Sequence, residues 1–144
     1  MAGEPRRHAV IPDTQSRPGA PVDHLAWVGM YLAEKKPDVM VHIGDHYDLP
    51  SLSSHEQPGS APLEGKRYAD DIAAGKHAWE TLTKPIDDEI ALCKRNHKRR
   101  WTPEKHVTLG NHEVRADRAA NNSPKLIGTI GTADCTFSDW QVHP

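Results

Sequence analysis

The sequence predicts an α/β domain built on a mostly parallel sheet with crossover helices. Three observations lead there. Short apolar or β-branched runs at 8–11, 39–43 and 106–109 each stop at a turn-forming pair, Pro12-Asp13, Gly44-Asp45 and Gly110-Asn111. Helical periodicity fills the two intervals between the runs. All three runs end in polar side chains, and an open α/β sheet gathers such ends along one edge, outside the carboxyl ends of its strands. Strand, helix, strand, helix, strand in that order implies parallel pairing through right-handed crossovers.

Each element has its own signal. In 22–36, Leu25, Val28 and Leu32 fall at i, i+3 and i+7, and Pro37 stops the helix. The stretch 49–65 is rich in Ser, Pro and Gly and reads as a long loop leaving the second strand, of a length that often carries function. In 66–99, Tyr68, Ile72, Trp79, Leu82, Ile86, Ile90 and Cys93 form one helical stripe. Pro85 interrupts it, either as a kink or as the start of a second helix, capped by Thr83 with Asp87, Asp88 and Glu89 in its first turn. Beyond Glu113 the pattern weakens: 114–120 reads as helix, 125–130 as a short helix, and 134–140 fits neither template.

Composition bounds the answer. The 144 residues make a single domain, 1–144. Lys+Arg is 18 against Asp+Glu 20, a net charge of −2, which argues against a globally basic nucleic-acid binder and against an acidic tail. Leu, Ile, Val and Phe total 25 of 144 residues, which predicts a thin core leaning on a metal, a partner or further sequence. No apolar stretch is long enough to span a bilayer, so no membrane partner is expected. The N-terminal arginines are not followed by an apolar segment, and the two cysteines, Cys93 and Cys135, make no disulfide framework; both point to a cytoplasmic protein. The ten histidines are unusual in number, but only position gives them meaning.

The chemistry concentrates in three blocks: Asp13-Thr14-Gln15, Gly44-Asp45-His46-Tyr47-Asp48 and Gly110-Asn111-His112-Glu113. Asp45 follows Asp13 by 32 residues and Asn111 follows Asp45 by 66, yet the predicted topology brings all three to one edge. Together they offer oxygen and nitrogen donors to divalent metal, with a carboxylate able to bridge two ions. Taken singly each block has a plainer reading. Asp13 and Gly44-Asp45 are ordinary turn residues, and Asn111-His112 is a helix cap. His42 and His46 straddle a strand end, so they share no helical face and read as surface or supporting residues. His8, His24, His55, His77, His97 and His106 lack partners at ligand spacing and read as structural or solvated.

In this order and strand context, Asp-x-Gln, Gly-Asp-x-x-Asp and Gly-Asn-His-Glu resemble the first three motifs of the calcineurin-like metallophosphoesterases, of the phage or bacterial type. The resemblance implies a partial metallophosphoesterase sandwich with its ligands at strand carboxyl ends. It implies two divalent cations, manganese first with iron or zinc as alternatives, and hydrolysis of a phosphomonoester or phosphodiester, nucleic acid among the candidate substrates, by a hydroxide bound to both metals. By the same resemblance Asp13 and Gln15 bind the first metal, Asp45 bridges, Asn111 binds the second, and His112 is the catalytic histidine at a phosphate oxygen or leaving group. Asp48 and Glu113 support the loops. Two departures stand out. The family has histidine where Gln15 stands, and its later lone histidine and Gly-His-x-His blocks are not found after Glu113. The chain therefore reads as the N-terminal portion of such a domain, truncated at its C-terminal side, and the resemblance implies that by itself it binds metal weakly and turns over phosphoesters poorly or not at all.

Lys94, Arg95, Lys98, Arg99 and Arg100 form the strongest local charge. Cations at the end of a helix complement its dipole, which is one reading. The other is contact with phosphate through Lys94, Arg95, Arg99 and Arg100, and with it an alternative function, a non-catalytic nucleic-acid-binding module in which Trp101 stacks on a base. Trp101 is equally suited to anchoring the helix to the sheet.

Overall fold

The computed structural model describes residues 5–96 and 100–144. Four strands, β1 His8–Ile11, β2 Val39–His42, β3 Glu104–Thr108 and β4 Gln141–His143, form one all-parallel sheet in the order β1-β2-β3-β4. Helix α1, Asp23–Lys35, joins β1 to β2; α2, Tyr68–Arg95, lies between β2 and β3; α3, Arg115–Asn122, follows β3. The α/β class and the parallel pairing are those expected. The fourth strand was not, because three residues are too few to show an alternation.

Register explains which side of the sheet is buried. Ile11, His42, Val107 and Val142 form one row, and Val10, Val41, His106 and Gln141 the next. Successive residues of a strand point to opposite faces, so the rows face opposite ways. Ile11, His42 and Val107 are buried, whereas Val142 at the sheet's edge is 46% exposed and Val10, on the other face, 62%. The buried row packs with Leu25 and Leu32 of α1 and with Leu82 and Ile86 of α2. The two helices meet at backbone range: a Cβ on Gly29 would lie 2.2 Å from the Leu82 carbonyl oxygen.

Helix α1 stops at Lys36, whose φ of 48° is left-handed and whose N–H donates to Leu32 O at 2.9 Å. Arg7 donates to the freed carbonyls of Lys35 and Lys36 at 3.1 and 2.8 Å. Helix α2 runs through Pro85 without dividing. Thr83 caps nothing; its hydroxyl donates to Trp79 O at 3.0 Å inside the helix. The acids after Pro85 act as ties: Asp87 pairs with Lys105 of β3, Asp88 with Lys84, and Glu89 with Lys36. Of the helical stretch expected over 66–99, residues 97–99 lie outside the described residues.

The core joins aliphatic side chains to an aromatic cluster. Trp79 stands 4.8 Å from Phe137 and 5.0 Å from Trp140 between ring centroids, and Tyr47 stands 5.5 Å from Phe137. The stretch 134–140, unassignable from its own pattern, supplies Cys135, Phe137 and Trp140 to this core. A count of Leu, Ile, Val and Phe misses most of this mass, since tryptophan and tyrosine bury the largest areas per residue. The short helix expected over 125–130 shrinks to a single turn, Pro124–Leu126, before Gly128 reverses the chain. In the 49–65 loop, Ser51 N–H donates to Asp71 of α2 at 2.9 Å, and burial raises the Asp71 pKa. Both cysteines are free and buried, with the Cys135 thiol pushed up to about 12 by burial. Among the described residues no helix is long and apolar enough to cross a membrane.

Candidate functional site

The three polar blocks meet at the carboxyl edge of the sheet, and backbone hydrogen bonds set their spacing. Gln15 N–H donates to Asp45 O at 2.9 Å and Ser16 N–H to His46 O at 2.7 Å, so the chain leaving β1 runs beside the chain leaving β2. The second and third blocks are joined by Glu113, which is fully buried. Its Oε2 accepts from Asp45 N at 3.0 Å and Gly110 N at 2.8 Å, and its Oε1 accepts from Tyr47 N at 2.9 Å. Asp45 Oδ1 in turn accepts from His112 N at 2.8 Å.

Close approach explains the glycines. A Cβ on Gly44 would lie 2.6 Å from Gly110 N, and one on Gly110 would lie 2.0 Å from Asp45 Oδ1. Gly44 also takes φ 92°, a region closed to most side chains. Asp45 at φ 51°, Gln15 at φ 43° and Leu49 at φ 49° follow it into the left-handed region. Such backbone is costly and gathers where surrounding structure enforces it.

His112, half-buried, sits against Asp48. Its Nδ1–H donates to Asp48 Oδ1 at 2.8 Å, with Asp48 O at 3.2 Å. That leaves Nε2 as the acceptor, and Arg115 donates to it at 3.1 Å. Arg115 also donates to Asp48 O at 2.8 Å. Arg115 was not singled out from sequence; its signal is its place three residues after His112, where α3 begins. Arg17, mostly exposed, reaches the second Asp48 oxygen at 3.5 Å.

Behind this edge lies a buried relay. Gly44 N–H donates to His42 Nδ1 at 3.2 Å, so the His42 proton sits on Nε2, which faces Thr14 Oγ1 at 3.3 Å. Thr14 O–H donates to His46 Nδ1 at 2.6 Å, and His46 Nε2–H donates to Gly75 O of α2 at 2.9 Å. Every nitrogen of both rings is spoken for with each histidine neutral. Burial, reinforced by the neighbouring His46, pushes His42 down to about 3, and burial pushes His46 down to about 4. The sequence reads both as surface or supporting residues. They are supporting, but fully buried, and they tie the first block to the second and to α2.

The expected ligands divide differently. Asp13, Gln15 and Asn111 are exposed at the same edge, and none of their side chains has a hydrogen-bond or ion-pair partner among the described residues. Asp45 Oδ2 has no hydrogen-bond partner among the described residues. The donor set is thus two carboxylates and two amide oxygens, hard oxygen donors that suit manganese or magnesium better than softer ions. Among the described residues no group of three or more His, Cys, Asp or Glu side chains is placed to hold a metal ion.

The basic cluster falls elsewhere. Lys94 and Arg95 are exposed on the last turn of α2, and Arg100 is exposed just before β3. All three lie at the amino ends of the strands, a strand length of about 15 Å from the carboxyl edge. Arg99 lies outside the described residues. A cleft of about 860 Å³ opens there, lined in part by Arg6, Arg7, Lys36, Arg100 and Trp101. Its cations are mostly matched, Arg6 by Glu104, Arg7 by Asp38 and Lys36 by Glu89. Trp101 is buried and donates from Nε1 to Pro37 O at 2.8 Å, which makes it an anchor for the chain entering β3.

No family model, no curated protein and no solved structure matches this chain.

Proposed function

We propose that this chain hydrolyses a phosphoester, monoester or diester, at the edge carrying Asp13, Gln15, Asp45, Asn111 and His112, with divalent cations, manganese first, as cofactors. The observation that carries the reading is the Asp48–His112–Arg115 group, fixed beside Asp45 and next to oxygen donors that have no other partner. When bound, divalent cations would neutralise charge on phosphoryl oxygens and acidify a water. Asp13 and Asp45, with the Gln15 and Asn111 amides, are the residues that would hold them.

The chain's own side chains have defined tasks in this reading. Asp48 fixes the His112 proton on Nδ1, so Nε2, which accepts from Arg115 at 3.1 Å, is the atom that would exchange a proton with the substrate once Arg115 turns to a phosphoryl oxygen. Arg115 holds a cation at the same place, suited to a phosphoryl oxygen. Once Nε2 is protonated it repels the Arg115 guanidinium and becomes a donor, so the pair has one arrangement for binding anion and another for delivering a proton.

The test is hydrolysis of chromogenic phosphomonoesters and phosphodiesters at saturating manganese. The expected result is weak, chelator-sensitive turnover that falls about 10²–10⁴-fold in His112→Asn. No turnover even from a version extended by the later histidine blocks, or an equal rate in the variant, overturns the proposal.

A further inference from the structure

On the face of the sheet turned away from α1 and α2, two histidines meet. His106 of β3 opposes Gln141 in the register, and Thr108 opposes His143 of β4, so the two imidazoles stand diagonally across neighbouring strands. His106 Nδ1 and His143 Nε2 are 3.0 Å apart, with ring centroids at 5.2 Å. Two neutral rings hold this contact only if one nitrogen supplies a proton and the other a lone pair.

Glu104 decides which. Its Oε2 lies 3.6 Å from His106 Nε2, while its Oε1 pairs with Arg6 at 2.9 Å. Ionised and held in place, Glu104 favours the N–H on Nε2, which turns the His106 Nδ1 lone pair toward His143. A carboxylate behind one imidazole nitrogen and a lone pair on the other is the outer half of a carboxylate–histidine–metal arrangement.

We propose that His106 Nδ1 and His143 Nε2 form a two-imidazole site for a tetragonal transition-metal ion, Cu²⁺ or Ni²⁺, separate from the oxygen-donor edge. Metal–imidazole bonds run about 2.0–2.1 Å, so two of them ending on nitrogens 3.0 Å apart enclose about 95°. That is close to the right angle of square-planar and octahedral ions, whereas a tetrahedral ion needs the nitrogens about 3.3 Å apart. Affinity order favours the same two ions for nitrogen donors. Water fills the remaining positions, and the face is open to it: the His106 side chain is 26% exposed, and Val10 and Ile43 on the same face are exposed. Binding releases no net proton. His106 keeps its proton on Nε2, and His143 transfers its own from Nε2 to Nδ1 through solvent as the metal takes the vacated lone pair.

The test titrates Ni²⁺ into the full chain and, to keep the two readings separable, into Asp45→Asn, in which the oxygen-donor edge has lost its bridging carboxylate. The expected result is one Ni²⁺ equivalent, weakened at least tenfold in His106→Gln and again in His143→Gln, with circular dichroism unchanged. A second measurement needs no variant: at substoichiometric Ni²⁺ the ring proton resonances of His106 and His143 broaden before those of His8, His24, His55 and His77. Unchanged affinity in both variants, or broadening spread evenly over the exposed histidines, overturns the proposal.

Discussion

Glu113→Ala is the sharpest perturbation this structure offers. The carboxylate is fully buried and accepts three backbone N–H groups, those of Asp45, Tyr47 and Gly110, at 3.0, 2.9 and 2.8 Å. Alanine removes all three acceptors at once and leaves the donors facing a void too far from bulk water to be satisfied in place. A hydrogen bond to a charged group contributes about 1.5–3 kcal/mol, so losing three of them is expected to cost about 4.5–9 kcal/mol. Against a domain's usual stability of about 5–15 kcal/mol, that is a third or more of the total. Glu113→Gln separates charge from shape. Its remaining oxygen serves Asp45 and Gly110, but the amide nitrogen then meets the Tyr47 N–H, donor against donor. One bond is lost in place of three, and the expected cost is about 1.5–3 kcal/mol. Urea unfolding at neutral pH reads both, through a lower midpoint at unchanged slope. A loss below about 1 kcal/mol for Glu113→Ala would show that the two loops hold their geometry without the carboxylate, and the account of the site would fail.

Acid should act through the relay. His42 and His46 are held far below the ordinary histidine value of 6.5, at about 3 and about 4. Between pH 6 and pH 4 the unfolded chain therefore binds protons that the folded chain refuses, and stability falls with pH by about 1.4 kcal/mol per unit for each histidine. His42→Gln should roughly halve that slope in unfolding midpoints taken from pH 7 to pH 4.5; an unchanged slope refutes it. Gly75→Ala places a Cβ 2.1 Å from the Tyr47 ring, so it should destabilise by several kcal/mol and disturb the near-ultraviolet signal of the aromatic core, and a variant that unfolds with the unmodified chain refutes the packing. Asp45→Asn should abolish manganese binding, measured by calorimetry, while His112→Ala leaves it nearly unchanged; tight two-site binding by the unmodified chain would contradict a donor set of two carboxylates and two amides. Asp48→Asn should slow phosphoester turnover more than it raises KM, since the His112 Nδ1–H would lose its charged acceptor; a pure KM effect would remove Asp48 from that role.

What the sequence determined by itself is what lies within a few residues along the chain. Apolar runs closed by turn pairs located β1, β2 and β3 to within about two residues, and the stripes with their Pro37 stop located α1 and α2. Parallel pairing then followed from connectivity, and with it the meeting of Asp13, Asp45 and Asn111 at one edge. What only the tertiary structure decided depends on partners far away in sequence. Glu113 reads as a loop residue until Tyr47, 66 positions earlier, supplies a donor to it. Phe137 and Trp140 have no periodicity of their own and become core because Trp79 is already buried beside them. β4 exists because β3 offers it an edge, and His106 gains His143 only through that pairing. Burial is the physical reason. A histidine four residues from another looks the same on a surface as in a core, and only the packing of α2 over His42 and His46 decides that they stay neutral.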